Sequence, residues 1–213
     1  MAVVYLIRHA QASFGTADYD VLSELGHRQA ELLGAELLRR GVRPNLVCSG
    51  SMRRQRDSAA TCLASGRIPV SIEVDERWNE YDHVDVLARY GAQDDSARLR
   101  LEGALRRWVA DGDSGRCAEG WPAFRARVRA ALDDLFGGLD RGGSALAFTS
   151  GGVISAICAD LLGIPEAGFL GLNRVTVNAS VTKIVRGRSG INLVSFNDHA
   201  HFEGEHRQAL SYR

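Results

Sequence analysis

The sequence predicts an α/β fold, a three-layer αβα sandwich with a mostly parallel central sheet. Two short runs, 2–7 (AVVYLI) and 144–148 (SALAF), are almost continuously apolar, as strands covered on both faces are. Stretches of helical apolar spacing alternate with such runs, and that alternation implies parallel strands joined by crossovers. Polar turns follow three of the runs at once: "RHAQ" after the first, "SGSMRRQR" after the second and "TSGG" after the fourth. Ligands of open parallel sheets bind beyond the carboxyl ends of the strands, so the three turns predict one site.

Each element has its own signal. After the strand at 2–7 comes a polar loop to Leu22, then a helix that Ser23 can N-cap. Leu25, Ala30, Leu33, Leu37 and Leu38 share its apolar stripe, Arg39 and Arg40 suit its C-terminal dipole, and Gly41 stops it. Residues 45–49 read as a second buried strand, 52–63 as a helix, and 70–74 as an alternating third strand. From about 81 to 120 the chain turns rich in Asp and Arg around one amphipathic helix near 96–110, a pattern expected of a cap inserted over the sheet edge. Trp121-Pro122 opens a long helix, with Phe124, Val128, Ala131, Leu132 and Leu135 on one face. The fourth strand, 144–148, runs through "TSGG" into a helix at 153–162 closed by Gly163 and Pro165, and 175–185 with 191–196 read as an antiparallel pair near one edge.

At 213 residues the chain suits one domain, 1–213, whose folding buries about 70% of the unfolded surface. Lys plus Arg equals Asp plus Glu at 26 each, so no net charge draws it to nucleic acid or to a membrane surface, and anion affinity must be local. Lys183 is the one lysine beside 25 arginines, most of them on polar helix faces. Cys48, Cys62, Cys117 and Cys158 have no zinc-like spacing and are expected as free buried thiols of a reducing compartment. With neither a signal-type h-region nor a bilayer-length apolar run, the expected location is cytoplasmic.

Arg8-His9 after a buried strand supplies a bidentate cation and an imidazole that titrates near neutrality. The second turn adds arginines where a helix begins, and a helix N-terminus carries positive potential. Arg53 and Arg56 read equally well as solvated helix charges, and Glu80 has acidic neighbours at Asp75, Glu76 and Asp82 that fit a plain surface role. Ser150 as a nucleophile is disfavoured, since "TSGGV" lacks the G-x-S-x-G elbow.

"VVYLIRHAQASFG" followed by "LSELGHRQAELLGAEL" resembles the opening of the histidine phosphatase superfamily, in its phosphoglycerate-mutase-like group. The likeness continues in order through "SMRRQRDSA", "RWNEYD", "GWPAFRARVRAAL", "AFTSGGVISAI" and "NDHAHF". The resemblance implies that His9 is a nucleophile taking the phosphoryl group as phosphohistidine, that Arg8 and Arg54 neutralise the transferring oxygens, and that Glu80 protonates the leaving oxygen. Arg54, not its neighbours, fits the register set by Met52 and Ser58-Ala59. Ser13, Ser150 and Gly151 are further candidate phosphate contacts. No metal or other cofactor is implied; His199, His201 and His206 lie close in sequence, but the family ends in a similar segment without metal. His27 is expected on the surface or in a groove.

The chain departs from the pattern at "RHAQ", where Ala10 and Gln11 replace Gly and Glu, at Gly15 in place of an Asn, and at Ser150 in place of a second histidine. Serine offers a hydroxyl donor without charge, and losing a preorganised donor costs about 10² to 10³ in rate. The expected function is therefore hydrolysis of a small phosphate monoester through phospho-His9, slowed by Ser150. Mutase-type phosphotransfer and a catalytically impaired phosphate-ligand binding protein are the alternatives. The expected partner is a small phosphorylated substrate, with no nucleic acid and no membrane; oligomeric state is left open.

Overall fold

The computed structural model describes residues 1–13, 20–91, 97–112, 115–165 and 167–212, apart from the side chains of 97 and 98. Strand β1 (Ala2–Arg8) leads to α1 (Glu24–Arg39), β2 (Leu46–Ser49), α2 (Arg53–Gly66) and β3 (Ile72–Val74). Helices α3 (His83–Tyr90), α4 (Ala97–Asp111) and α5 (Trp121–Gly137) follow, then β4 (Ser144–Thr149), α6 (Gly151–Leu162) and α7 (Ala167–Val175). Strands β5 (Val181–Gly187) and β6 (Gly190–Asp198) complete a sheet of order β3-β2-β4-β1-β5-β6. The first four strands pair in parallel, and β5 runs against both β1 and β6.

The unbroken apolar runs have a direct cause: each face of the sheet is covered. Val4, Leu6, Ala145, Ala147 and Cys48 pack toward α5 and α6, while Ile7, Leu146, Phe148 and Val47 pack toward α1 and α2. Alternate residues thus feed opposite layers, and no position is left for a polar side chain. Helix α1 begins as its sequence requires, with Ser23 Oγ accepting from Gly26 N at 3.0 Å. Gly41, at φ +67, takes the left-handed conformation that ends it.

Helices α1 and α2 meet through glycine. A Cβ on Gly34 would lie 2.3 Å from Cys62 O and 2.8 Å from Gly66 N, so the helix backbones touch without an intervening side chain. On the other face two tryptophans and their neighbours form an aromatic group: Trp108 lies 5.4 Å from Trp121 and 5.3 Å from Tyr81, and Trp121 lies 4.6 Å from Phe169. Trp108 and Val86 of the 81–120 stretch belong to the same buried cluster as Phe124 and Ile154.

Three expectations change. The 81–120 stretch holds two helices, not one, because α3 is eight residues long and too short for its periodicity to stand out. Helix α7, which carries Gly168 and Gly171, occupies residues to which the sequence reading assigns no element, and its last residue, Val175, is where a strand is expected to start. The antiparallel pairing begins at Val181, opposite Ile7, because residues 176–180 spend their polar groups on the end of β1. The four cysteines are free and buried.

Gly34→Ala is expected to lower stability by roughly 1–3 kcal/mol, because its Cβ must push backbone aside. Gly137→Ala, whose Cβ meets nothing within 4 Å, is expected to gain about 0.5 kcal/mol. Urea denaturation midpoints at constant m check both.

Candidate active site

The parallel register aligns three strand ends. Arg8 stands opposite Thr149, and Ser49 opposite Phe148. The residues just beyond, His9, Gly50 and Ser150, therefore emerge side by side, and His9 N donates to Thr149 O at 2.8 Å.

His9 is 4% exposed, and its protonation state follows from its partners. Nδ1 lies 2.8 Å from Ala10 O, which only accepts, so Nδ1 carries the proton. Nε2 consequently holds the lone pair, and Arg54 Nε donates to it at 3.3 Å. Burial first, then the charges of Arg54 and Arg8, hold the imidazole well below its ordinary pKa. Magnitudes agree: like charges 4 Å apart repel by about 4 kcal/mol at an effective dielectric of 20, against about 1 kcal/mol from a hydrogen bond. The ring is neutral, with Nε2 as its nucleophilic atom.

Arg54 is 7% exposed, whereas Arg53 and Arg56 are exposed. Its Nη1 meets Asp20 Oδ1 at 2.6 Å, and Asp20 Oδ2 accepts from Arg53 N at 2.7 Å, so one carboxylate holds both the guanidinium and the start of α2. Arg8 Nη1 donates to Thr176 O and, at 3.2 Å, to Tyr212 O. Both carbonyls help to hold the guanidinium in place. Asn178 Nδ2 and the amide of Ala179, a non-glycine residue at φ +55, reach His9 O at 3.2 and 3.3 Å.

Glu80 comes from the segment after β3. Its Oε2 accepts from Gly152 N at 2.9 Å and its Oε1 from Tyr81 N at 3.3 Å. Burial raises its pKa above the ordinary carboxylate value, against the Gly152 hydrogen bond and the Arg54 charge. Gly152 makes this seat possible, since a Cβ there would lie 2.2 Å from Glu80 Oε1 and 2.5 Å from Tyr81 Cε1. Gly151, first in α6, is less tight: its Cβ would lie 3.0 Å from Asn173 Oδ1 and 3.5 Å from Arg8 Nε.

Ser150 is fully buried at the N-cap of α6, yet makes no side-chain cap bond. Its Oγ accepts from Gln55 Nε2 at 2.8 Å. Ser13 is half-buried in the loop after β1, where its amide bonds Val21 O at 2.7 Å; it belongs to that loop and not to the buried cluster. Gly15 lies outside the described residues. Ala10 keeps a negative φ, and Gln11 ties the loop to α1, accepting from Ser23 N and Ser23 Oγ at 3.0 and 2.8 Å. His199, His201 and His206 face separate partners: Asn197 O, the ring of Phe202, and Glu205. Among the described residues no three His, Cys, Asp or Glu side chains gather as a metal site, and no helix is long and apolar enough to cross a membrane. His27 is exposed on α1.

Asp20 and Gln55 escape a reading of the sequence, which takes Gly152 only as part of the "TSGG" turn and not as the seat of Glu80. Gln55 left a trace there: it shares a face with Ser58, Ala59, Cys62 and Gly66, where a long polar side chain is out of place.

The model of the histidine phosphatase superfamily (branch 1) matches residues 4–199. No curated protein sequence matches significantly. Among solved structures, mycobacterial glucosyl-3-phosphoglycerate phosphatase in complex with VO3 is 26% identical at a TM-score of 0.67, covering 92% of this chain and 99% of that one. Phosphoglycerate mutase from Bacillus anthracis str. Sterne is 21% identical, with a TM-score of 0.70 and coverage of 94% of each chain. A phosphoserine phosphatase mutant from Entamoeba histolytica in complex with phosphoserine is 15% identical, with a TM-score of 0.69, covering 94% of this chain and 99% of that one. The last two establish likeness of fold alone.

In histidine-selective NMR, His9 is expected as the neutral Nδ1–H tautomer at about pH 6, where a free imidazole is largely protonated. Arg54→Ala removes a repelling charge and should raise the His9 pKa. A folded pKa below the unfolded one means that His9's share of stability is present above the unfolded value and lost as pH falls toward the folded one.

Proposed function

The chain belongs to the histidine phosphatase superfamily (branch 1), and from that premise we propose that it hydrolyses a small phosphate monoester through a phosphohistidine on His9. The observation that carries the reading is the neutral His9 with its Nε2 lone pair against Arg54. Likeness to a glucosyl-3-phosphoglycerate phosphatase, 26% identical over nearly the whole of both chains, supports the phosphatase reading.

Arg8 and Arg54 receive the phosphate, and Arg54 Nε leaves the Nε2 lone pair for a phosphoryl oxygen. Nε2 then attacks phosphorus while the ester P–O bond breaks and protonated Glu80 gives its proton to the leaving oxygen. Water next attacks phosphorus, the P–N bond breaks with its electrons returning to Nε2, and Glu80 takes the water's proton. The raised Glu80 pKa suits the first role, since a carboxyl protonated toward neutral pH is an acid with something to give. The phosphate's charge is met by preorganised cations, and no step calls for a metal. Ser13, Ser150 and the Gly151 amide are the remaining proposed phosphate contacts. Residues 81–120 act as a cap within one domain, placing Tyr81 and α3 beside the leaving-group side.

His9→Ala is expected to abolish both turnover and acid-labile labelling by a phosphate donor; bound phosphate without any labelled His9 in the wild type would replace the enzyme reading by a binding protein. Activity should fall on the acid side as His9 protonates and on the alkaline side as Glu80 ionises. Glu80→Gln should remove the alkaline limb and cost roughly 10²–10⁴ in kcat on alkyl phosphates, less on aryl phosphates whose leaving groups need no proton.

A further inference from the structure

Gln55 is fully buried on the second turn-facing position of α2, among small side chains. Its amide orientation is determined by chemistry: Nε2 lies 3.2 Å from Trp78 O, which only accepts, so the atom there must be nitrogen. The same Nε2 donates to Ser150 Oγ at 2.8 Å. Oε1 has no hydrogen-bond partner among the described residues and faces Gly50, where a Cβ would lie 2.0 Å from it. Burying an orphaned amide carbonyl costs stability, and an apolar side chain would avoid the cost. Gln55 thus carries a cost that an apolar side chain of its size would not.

What Gln55 does is set the direction of one proton. With a lone pair of Ser150 Oγ filled by the amide, the hydroxyl hydrogen must point away from Gln55. Ser150 emerges beside His9, one residue past the Arg8–Thr149 pair, and the next residue, Gly151, packs against Arg8. Arg8 only donates and Arg54 Nε fills the His9 Nε2 lone pair, so neither offers the hydroxyl an acceptor, and a phosphoryl oxygen brought against them would supply one.

Resting on the phosphatase reading above, we infer that Gln55 is a positioning residue that aims the Ser150 hydroxyl at the transferring phosphoryl oxygens. The pair forms an uncharged donor relay: Gln55 N–H polarises the hydroxyl, and the hydroxyl donates to the oxygens as charge grows on them. Being neutral at every working pH, it adds a donor without a third titrating group beside His9. Phosphate binding stays with Arg8 and Arg54, so the relay acts on kcat and not on KM.

The test uses the full chain with p-nitrophenyl phosphate and Gln55→Met, Ser150→Ala and the double variant. Removing the amide orphans nothing, since Trp78 O keeps Thr149 Oγ1 at 2.6 Å and the unpaired carbonyl disappears. Gln55→Met should therefore keep or raise the melting temperature, leave KM and inorganic phosphate affinity unchanged, and lower kcat about tenfold, the equivalent of one directed hydrogen bond. Ser150→Ala should lower kcat by about 10², and the double variant no further, because the two act as one unit. An unchanged kcat in Gln55→Met, a kcat loss that tracks a loss of stability, or additive effects in the double variant would overturn the inference and leave the phosphatase reading standing. A wild type that binds phosphate but turns nothing over would overturn both.

Discussion

A neutral imidazole held against two arginines is the condition on which the rest of the site depends. Neutrality comes from burial and from the repulsion of Arg54 and Arg8, while orientation comes from the Nδ1–H bond to Ala10 O. Each contribution has its own support. Ala10 N donates to Ser58 Oγ at 2.8 Å, and Ser58 Oγ donates to Arg54 O at 2.6 Å, so α2 places both the guanidinium and the loop that orients the ring. Arg8 is held from the opposite side by Thr176 and Tyr212, which brings the C-terminal residues into the site's construction.

The same economy governs the acid. Glu80 sits where it does because the carbonyl of Trp78 is bonded by Thr149 Oγ1 and Gln55 Nε2, and because Arg127 Nη1 donates to the carbonyls of Arg77 and Asn79 at 2.8 and 3.0 Å. Tyr81 anchors the far side in the aromatic cluster around Trp108. The carboxylate then takes the Gly152 amide at the start of α6, a place where a helix favours negative charge. Burial opposes that preference and prevails, which leaves Glu80 raised and suited to giving a proton.

Asp20 shows what a carboxylate does in a cluster of cations. It bonds both the Arg54 guanidinium and the first amide of α2, and so offsets part of the charge that an incoming phosphate would meet. The site is consequently less cationic than its count of arginines suggests.

Much of this protein was legible before any coordinates. Apolar runs at 2–7 and 144–148 announce strands covered on both faces, Ser23 and Gly41 mark the ends of α1, and the turns after three runs announce where a site must be, because strand periodicity and capping are local properties of the chain. The register that distinguishes Arg54 from Arg53 and Arg56 is local too. Helices α3 and α7 were hidden because segments of eight and nine residues, the second carrying two glycines, take their structure from what they pack against. Gln55, Asp20 and the need for glycine at 152 lay beyond the sequence for a stronger reason: each is defined by an atom far along the chain, a hydroxyl at Ser150, a guanidinium at Arg54, a carboxylate at Glu80. Local pattern named the candidate groups, Arg8, His9, Arg54 and Glu80; their protonation and aim came with folding, because those depend on burial and on partners that only the folded chain brings within reach.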